Sequence, residues 1–87
     1  MEKHPTHINI DISPARLATE ISNLRYDALA EFIGLLQQKI LAQSQEDQKR
    51  GRQKLAAELL NVSNHLAFAE SYTEKAWEIS KPYMEEE

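Results

Sequence analysis

Apolar residues recur at helical spacing over most of this chain. The pattern begins after Ser13 and Pro14, which suit a helix start because the serine can accept free backbone N–H groups and proline fits the first helical position. One stripe comprises Leu17, Ile21, Leu24, Ala28, Phe32 and Leu35, and a second beside it comprises Leu29, Ile33, Leu36 and Ile40. The combined face is wider than one neighbouring helix requires, which predicts contact with more than one helix. Ser22 and Asn23 compete for backbone hydrogen bonds, so either one continuous helix or a short helix followed by a long one fits the pattern.

A polar segment follows this region and offers the only place for the chain to reverse. Residues 42–52 are polar throughout, apart from the alanine at their start. Ser44 followed by Asp47 resembles a capping box, so we predict that the next helix begins near Gln45. Gly51 then lies inside that helix or ends a turn before it.

The last helix is the clearest predicted element. Its apolar positions alternate in spacings of four and three, as in the seam of a coiled-coil-like contact. These positions are Leu55, Leu59, Val62, Leu66, Ala69, Thr73 and Ala76, and the seam is widened on one side by Phe68, Tyr72 and Ile79. We predict that the helix ends at Lys81 and Pro82, because proline disfavours the α conformation of the residue before it.

These elements predict an all-α protein: a short N-terminal arm and helix followed by a long antiparallel helical hairpin. At 87 residues the chain has room for one domain, which we place at residues 13–82. Residues 1–12 are predicted to be an extended arm, because His7 to Ile12 alternates polar and apolar residues, and residues 83–87 an acidic tail.

A two-helix hairpin leaves much of its apolar surface exposed to water. Because association would bury that surface, we expect a homodimer or a higher oligomer that forms a helical bundle. The residues expected at a partner or oligomer interface are Phe32, Leu36, Phe68, Tyr72 and Trp77.

The composition of the chain argues against several kinds of chemistry, partner and location. The chain has no cysteine, so disulfides and thiolate chemistry are excluded. Ten basic residues against 14 acidic ones give a net charge of −4, and binding to nucleic acid through general charge is therefore not expected. The first 12 residues lack the apolar core of a secretory signal, and no run approaches the roughly 20 apolar residues of a membrane span. We expect a cytoplasmic protein with no membrane contact.

Enzyme motifs are absent from the sequence, so we predict no catalytic residues, no metal and no cofactor. There is no glycine-rich phosphate loop, no His-Glu-x-x-His and no Gly-x-Ser-x-Gly. Three histidines, His4, His7 and His65, have no acidic or cysteine partners at ligand spacing. The acids do not form the paired clusters of a helical pyrophosphatase, and Glu70, Glu74 and Glu78, spaced by four, are typical of a solvated helix face.

One concentrated basic segment remains as a candidate ligand site. Four cations lie close together near a helix start and a glycine, which is a suitable surface for phosphate. Arg25 beside Tyr26 adds a cation and an aromatic ring suited to stacking on a base. The candidate anion-binding residues are Arg25, Tyr26, Lys49, Arg50, Arg52 and Lys54. The alternative, that these cations only solubilise the surface and balance nearby acids, is favoured by how often charge runs do so.

Two functional hypotheses follow. The first is a non-catalytic oligomeric binding protein that acts as an adaptor, inhibitor or regulator of a macromolecular partner. The second is an oligomer that sequesters an anionic, nucleotide-like ligand without turnover. The layout of a short helix followed by a hairpin is similar in size and arrangement to small phage-encoded sponge proteins that sequester cyclic nucleotide signals, and this resemblance implies the second function.

Overall fold

Three α-helices make up the fold. A computed structural model describes residues 4–8 and 10–84 and places α1 at Pro14–Ser22, α2 at Tyr26–Lys49 and α3 at Gln53–Met84. The predicted start of α1 is confirmed, since the Ser13 hydroxyl accepts a hydrogen bond from the Arg16 N–H and Pro14 is the first helical residue. The helix then breaks after Ser22, so a short helix followed by a long one is the correct alternative.

The reversal between α2 and α3 is a tight turn centred on Gly51. The Gly51 N–H donates to the Gln48 carbonyl and the Arg52 N–H donates to the Asp47 carbonyl, the hydrogen-bond pattern of a Schellman motif. Gly51 has a φ of 80°, in the left-handed region where residues with a Cβ are strained. The turn therefore depends on this glycine.

The predicted helix start near Gln45 is wrong. Ser44 lies inside α2, where its side-chain hydroxyl is buried and donates to the Ala56 carbonyl of α3 at 2.7 Å. The serine that resembled a cap is thus a contact between the two long helices.

The predicted end of α3 at Lys81 and Pro82 is also too early, because the helix continues to Met84. Proline fixes a φ value that suits a helix, and near the C-terminus its missing N–H costs one hydrogen bond at most. Tyr83, which we had placed in the tail, belongs to α3.

The two long helices pack against each other as an antiparallel hairpin, as predicted. Among the described residues they are the only pair of helices with extensive packing, and α1 has no fully buried residue. The chain measures 52 × 29 × 13 Å, and 13 Å is close to the thickness of one helix with its side chains. The hairpin is a single layer of helices.

Small and polar side chains make up most of the contact between α2 and α3, which we call the seam. On α2 the seam contains Ala30, Gly34, Gln37, Leu41 and Ser44, and on α3 it contains Ala56, Ser63, Glu70 and Trp77. The only fully buried apolar residues in the described chain are Ala30 and Ala56, each 3% exposed. Among the predicted seam positions on α3, Leu59, Leu66 and Thr73 are half-buried. Leu55 and Val62, by contrast, each precede a buried seam residue, Ala56 or Ser63, by one position.

The positions of the seam residues determine which residues lie on each side of this layer of helices. In two facing antiparallel helices, the residues one position before a seam residue lie on one side, and those one position after lie on the other. The first side, which we call the apolar face, contains Leu29, Ile33, Leu36, Ile40, Gln43, Leu55, Val62, Ala69 and Ala76. The second side, the cleft face, contains Glu31, Leu35, Gln38, Ala42, Gln45, Ala57, Asn64, Ser71 and Glu78.

The segment before α1 was predicted to be extended. Its described part is bent at Thr6–His7 and at Ile10–Ile12, where the Ile12 N–H donates to the Ile10 carbonyl. Ile8 and Ile10 are exposed. Residue 9, which belongs to the predicted alternation, lies outside the described residues.

Candidate functional site

The two parts of the candidate anion site lie at opposite ends of the hairpin. Arg25 and Tyr26 are at the start of α2, whereas Lys49 and Arg50 are at its end. The 24 residues of α2 span about 36 Å, since an α-helix rises 1.5 Å per residue. One chain cannot place Arg25 and the basic turn on the same small ligand.

Acidic neighbours pair with two of the cations at the turn. The Arg50 Nε lies 3.2 Å from a Glu46 carboxylate oxygen, and the Arg52 Nη1 lies 3.1 Å from an Asp47 oxygen. No ion pair of Lys49 or Lys54 occurs within residues 4–8 and 10–84. These contacts fit the alternative in which the basic segment balances nearby acids.

Arg25 joins the start of α2 to the end of α3. Its guanidinium donates two hydrogen bonds of 2.7 Å to the Asp27 carboxylate and lies 5.0 Å from the centre of the Trp77 ring. The hydrogen bond from Arg25 lowers the pKa of Asp27 below its ordinary value. Burial opposes this effect in part, and the hydrogen bond from the Ala28 N–H adds a smaller lowering. Lys81 also approaches the Trp77 ring, at 5.6 Å. This cluster ties the open end of the hairpin together.

Four large apolar side chains form an exposed stripe along α3, which we call the outer stripe. Phe68, Tyr72, Ile79 and Tyr83 are spaced by four, seven and four residues, and each is between 63% and 72% exposed. They point away from α2, so the prediction that Phe68, Tyr72 and Ile79 widen the contact between the helices is wrong. Lys75 lies over the Tyr72 ring at 5.0 Å.

The other predicted interface residues are divided between several places. Phe32 and Leu36 are partly exposed on α2, with Leu36 on the apolar face. Trp77 is half-buried in the cluster with Arg25. The structure does not bring the five predicted interface residues together into one patch.

Acidic residues from both long helices line one open cleft of about 680 Å³ near the open end of the hairpin. The residues with carboxylates in its walls are Asp27, Glu31, Glu70, Glu74 and Glu78. These acids are distant in sequence, and the packing of the two helices brings them together in this cleft. Even so, no group of histidines, cysteines and acids in the described part of the chain is arranged to hold a metal ion.

Sequence reasoning missed several small and polar residues that line the contact between the helices. Gly34 is buried in the seam, and a Cβ there would overlap the Glu70 carboxylate, so the glycine makes room for that side chain. Ser63 is buried and accepts a hydrogen bond from the Gln37 side-chain amide at 2.7 Å. The available signal was the recurrence of small residues at spacings of seven, at Ala56 and Ser63.

Comparison with known proteins assigns no family to this chain. Neither protein families nor curated proteins nor solved structures yield a match to the chain. Within the described residues, no helix combines the length and apolar character that crossing a membrane requires. The fold and its surfaces define the class of protein: an all-α helical hairpin whose large apolar side chains lie mostly outside the contact between its helices.

Proposed function

We propose that this chain is a non-catalytic, oligomeric helical binding protein that acts on a macromolecular partner as an adaptor, inhibitor or regulator. The observation that carries the proposal is the outer stripe of α3, where four large apolar side chains project from the helix away from its neighbour. Exposed aromatic side chains bury much area at little entropic cost when a partner covers them.

Oligomerisation is part of the proposal because the hairpin alone buries little apolar surface. A folded monomer of 10.0 kDa is expected to expose about 5,200 Å². This chain exposes 7122 Å². Its radius of gyration of 15.9 Å likewise exceeds the roughly 12 Å expected for a compact chain of this length.

Partner capture with matched variants tests the binding function. The full-length chain is immobilised, and bound proteins and nucleic acids are identified from a cell extract. Tyr72→Ser removes an aromatic ring from the outer stripe, and Asn61→Ser is the control, since Asn61 is exposed on the same side of α3 outside the stripe. We expect a partner that binds the native chain and the control but is lost with Tyr72→Ser, at unchanged oligomer mass. Equal capture by both variants contradicts the role of the stripe.

An anionic ligand held between copies is the second candidate function. Lys49 and Lys54, exposed near the start of α3, have no ion pair in the described part of the chain and are free to contact an anion. The distance between Arg25 and the turn requires that a second copy complete such a site. A thermal-shift screen with nucleotides and cyclic nucleotides tests this hypothesis: stabilisation that Arg25→Ala and Lys49→Ala both abolish supports it, and no stabilisation by any compound contradicts it.

A further inference from the structure

The apolar face of the hairpin is a large surface that the proposed function does not use. Every seam position on α2 from Ala30 to Leu41 is preceded by a large aliphatic residue, and these are Leu29, Ile33, Leu36 and Ile40. On α3 the corresponding positions hold Leu55, Val62, Ala69 and Ala76, and Leu59 and Leu66 lie between them and the seam. None of these ten residues is fully buried.

Charge is absent from the centre of this face. None of the ten residues is charged, whereas the cleft face carries Glu31 and Glu78 at its open end. A surface without charge favours burial against another apolar surface, because no ionised group has to leave water. The apolar face is therefore better suited than the cleft face to burial against another apolar surface.

We propose that a second copy of this chain packs on the apolar face, so that two hairpins form a four-helix bundle. This inference rests on the oligomerisation in the proposed function and assigns its surface. Both copies present the same residues, as a two-fold symmetric interface requires. The outer stripe and the cleft face stay accessible on each copy.

One copy of the chain exposes more excess surface than such a dimer needs to bury. The chain exposes 7122 Å² against about 5,200 Å² for a compact monomer of its mass, an excess of about 1,900 Å². Obligate homodimers bury about 2,000 Å² or more in total, or about 1,000 Å² on each copy.

Adjacent leucines provide a matched test. Leu36 lies on the apolar face and is 39% exposed, whereas Leu35 lies on the cleft face and is 52% exposed. We expect Leu36→Glu to lower the mass measured by light scattering to that of a single chain, or to unfold the protein, at concentrations of about 10 μM where the native chain is a dimer. Leu35→Glu is expected to keep the mass and the helical circular dichroism of the native chain.

Cross-linking avoids the risk that a charged variant fails to fold. The native chain has no cysteine, so a single introduced thiol reports on one position. We expect Val62→Cys, on the apolar face, to form a dimer that a thiol-specific cross-linker captures, and Asn64→Cys, on the cleft face, to give at least tenfold less.

The outcomes separate this inference from the proposed function. A native chain that stays monomeric overturns both the inference and the oligomeric part of the proposed function. A different result overturns only the assignment of the apolar face as the dimer surface. In that result the native chain is an oligomer that tolerates Leu36→Glu, dissociates with Leu35→Glu and cross-links through residue 64.

Discussion

Two glycines in this chain serve opposite purposes. Gly51 has a φ of 80° and nothing near its Cβ position, so its backbone conformation is what the turn requires. Gly34 has an ordinary helical conformation, and the nearest atoms that a Cβ would meet are those of the Glu70 carboxylate. That carboxylate is the far end of a flexible side chain and can move aside.

The same substitution at these two positions should therefore have effects of opposite sign. We expect Gly34→Ala to raise the free energy of unfolding by about 0.5–1 kcal/mol, because alanine is the better helix former. We expect Gly51→Ala to lower it by about 1 kcal/mol, because the left-handed conformation is strained for alanine. Urea unfolding of the two variants measures both. A loss of stability with Gly34→Ala would mean that the Glu70 carboxylate is fixed in place.

The ion pair of Arg25 and Asp27 predicts a dependence on pH. Because the pKa of Asp27 is lowered in the folded chain, its contribution to stability is present above the ordinary value of 3.8 and is lost as the pH falls through the lower folded value. We expect the native chain to melt at a higher temperature than Asp27→Asn near neutral pH, and the difference to shrink as the pH falls below about 4. A difference that does not change with pH would assign the effect to something other than ionisation.

At the scale of elements, the seam shows which features the sequence could predict. The helices, the position of the α1 start and the antiparallel hairpin follow from apolar spacing and capping residues, and the structure confirms them. The contact itself follows only in part, because apolar spacing also assigns large residues such as Leu55 and Val62 to the seam. Two helices approach closely where side chains are small, and hydrophobic periodicity gives no weight to Gly34 or Ser63.

Candidate sites were predicted less well than the helices, for a related reason. Arg25 and the basic turn appeared as one set of cations, but the length of α2 separates them by about 36 Å. The acids that line the cleft are distant in sequence, and only the register of the hairpin brings Glu31 and Glu74 to one place. Spacing within one helix cannot reveal such a register.

The hydrogen bond between Ser63 and Gln37 should stabilise the packing of the helices. We expect Ser63→Ala to lower the free energy of unfolding by about 1–2 kcal/mol, because it leaves the half-buried Gln37 amide without its partner. Ser71→Ala, an exposed serine on the same helix, should change it by about 0.5 kcal/mol at most. Equal effects of the two variants would show that the seam hydrogen bond contributes nothing specific.

At the scale of the whole molecule, the hairpin is a layer one helix thick, and a single layer has no interior. Ala30 and Ala56 are the only apolar residues fully buried in the described chain, and burial of two alanines supplies only a small part of the free energy that folding needs. Most of the large aliphatic and aromatic residues lie on the faces and the outer edge of the layer. Folding of this chain is therefore expected to be coupled to association.

The dependence of thermal stability on protein concentration tests this account most directly. The full-length chain is melted at concentrations from about 1 to about 100 μM, with helicity followed by circular dichroism. If the folded state is an oligomer, mass action raises the melting temperature by roughly 5–10 °C over this range. A melting temperature that is the same at every concentration, for a chain whose mass by light scattering is 10.0 kDa, would contradict the account.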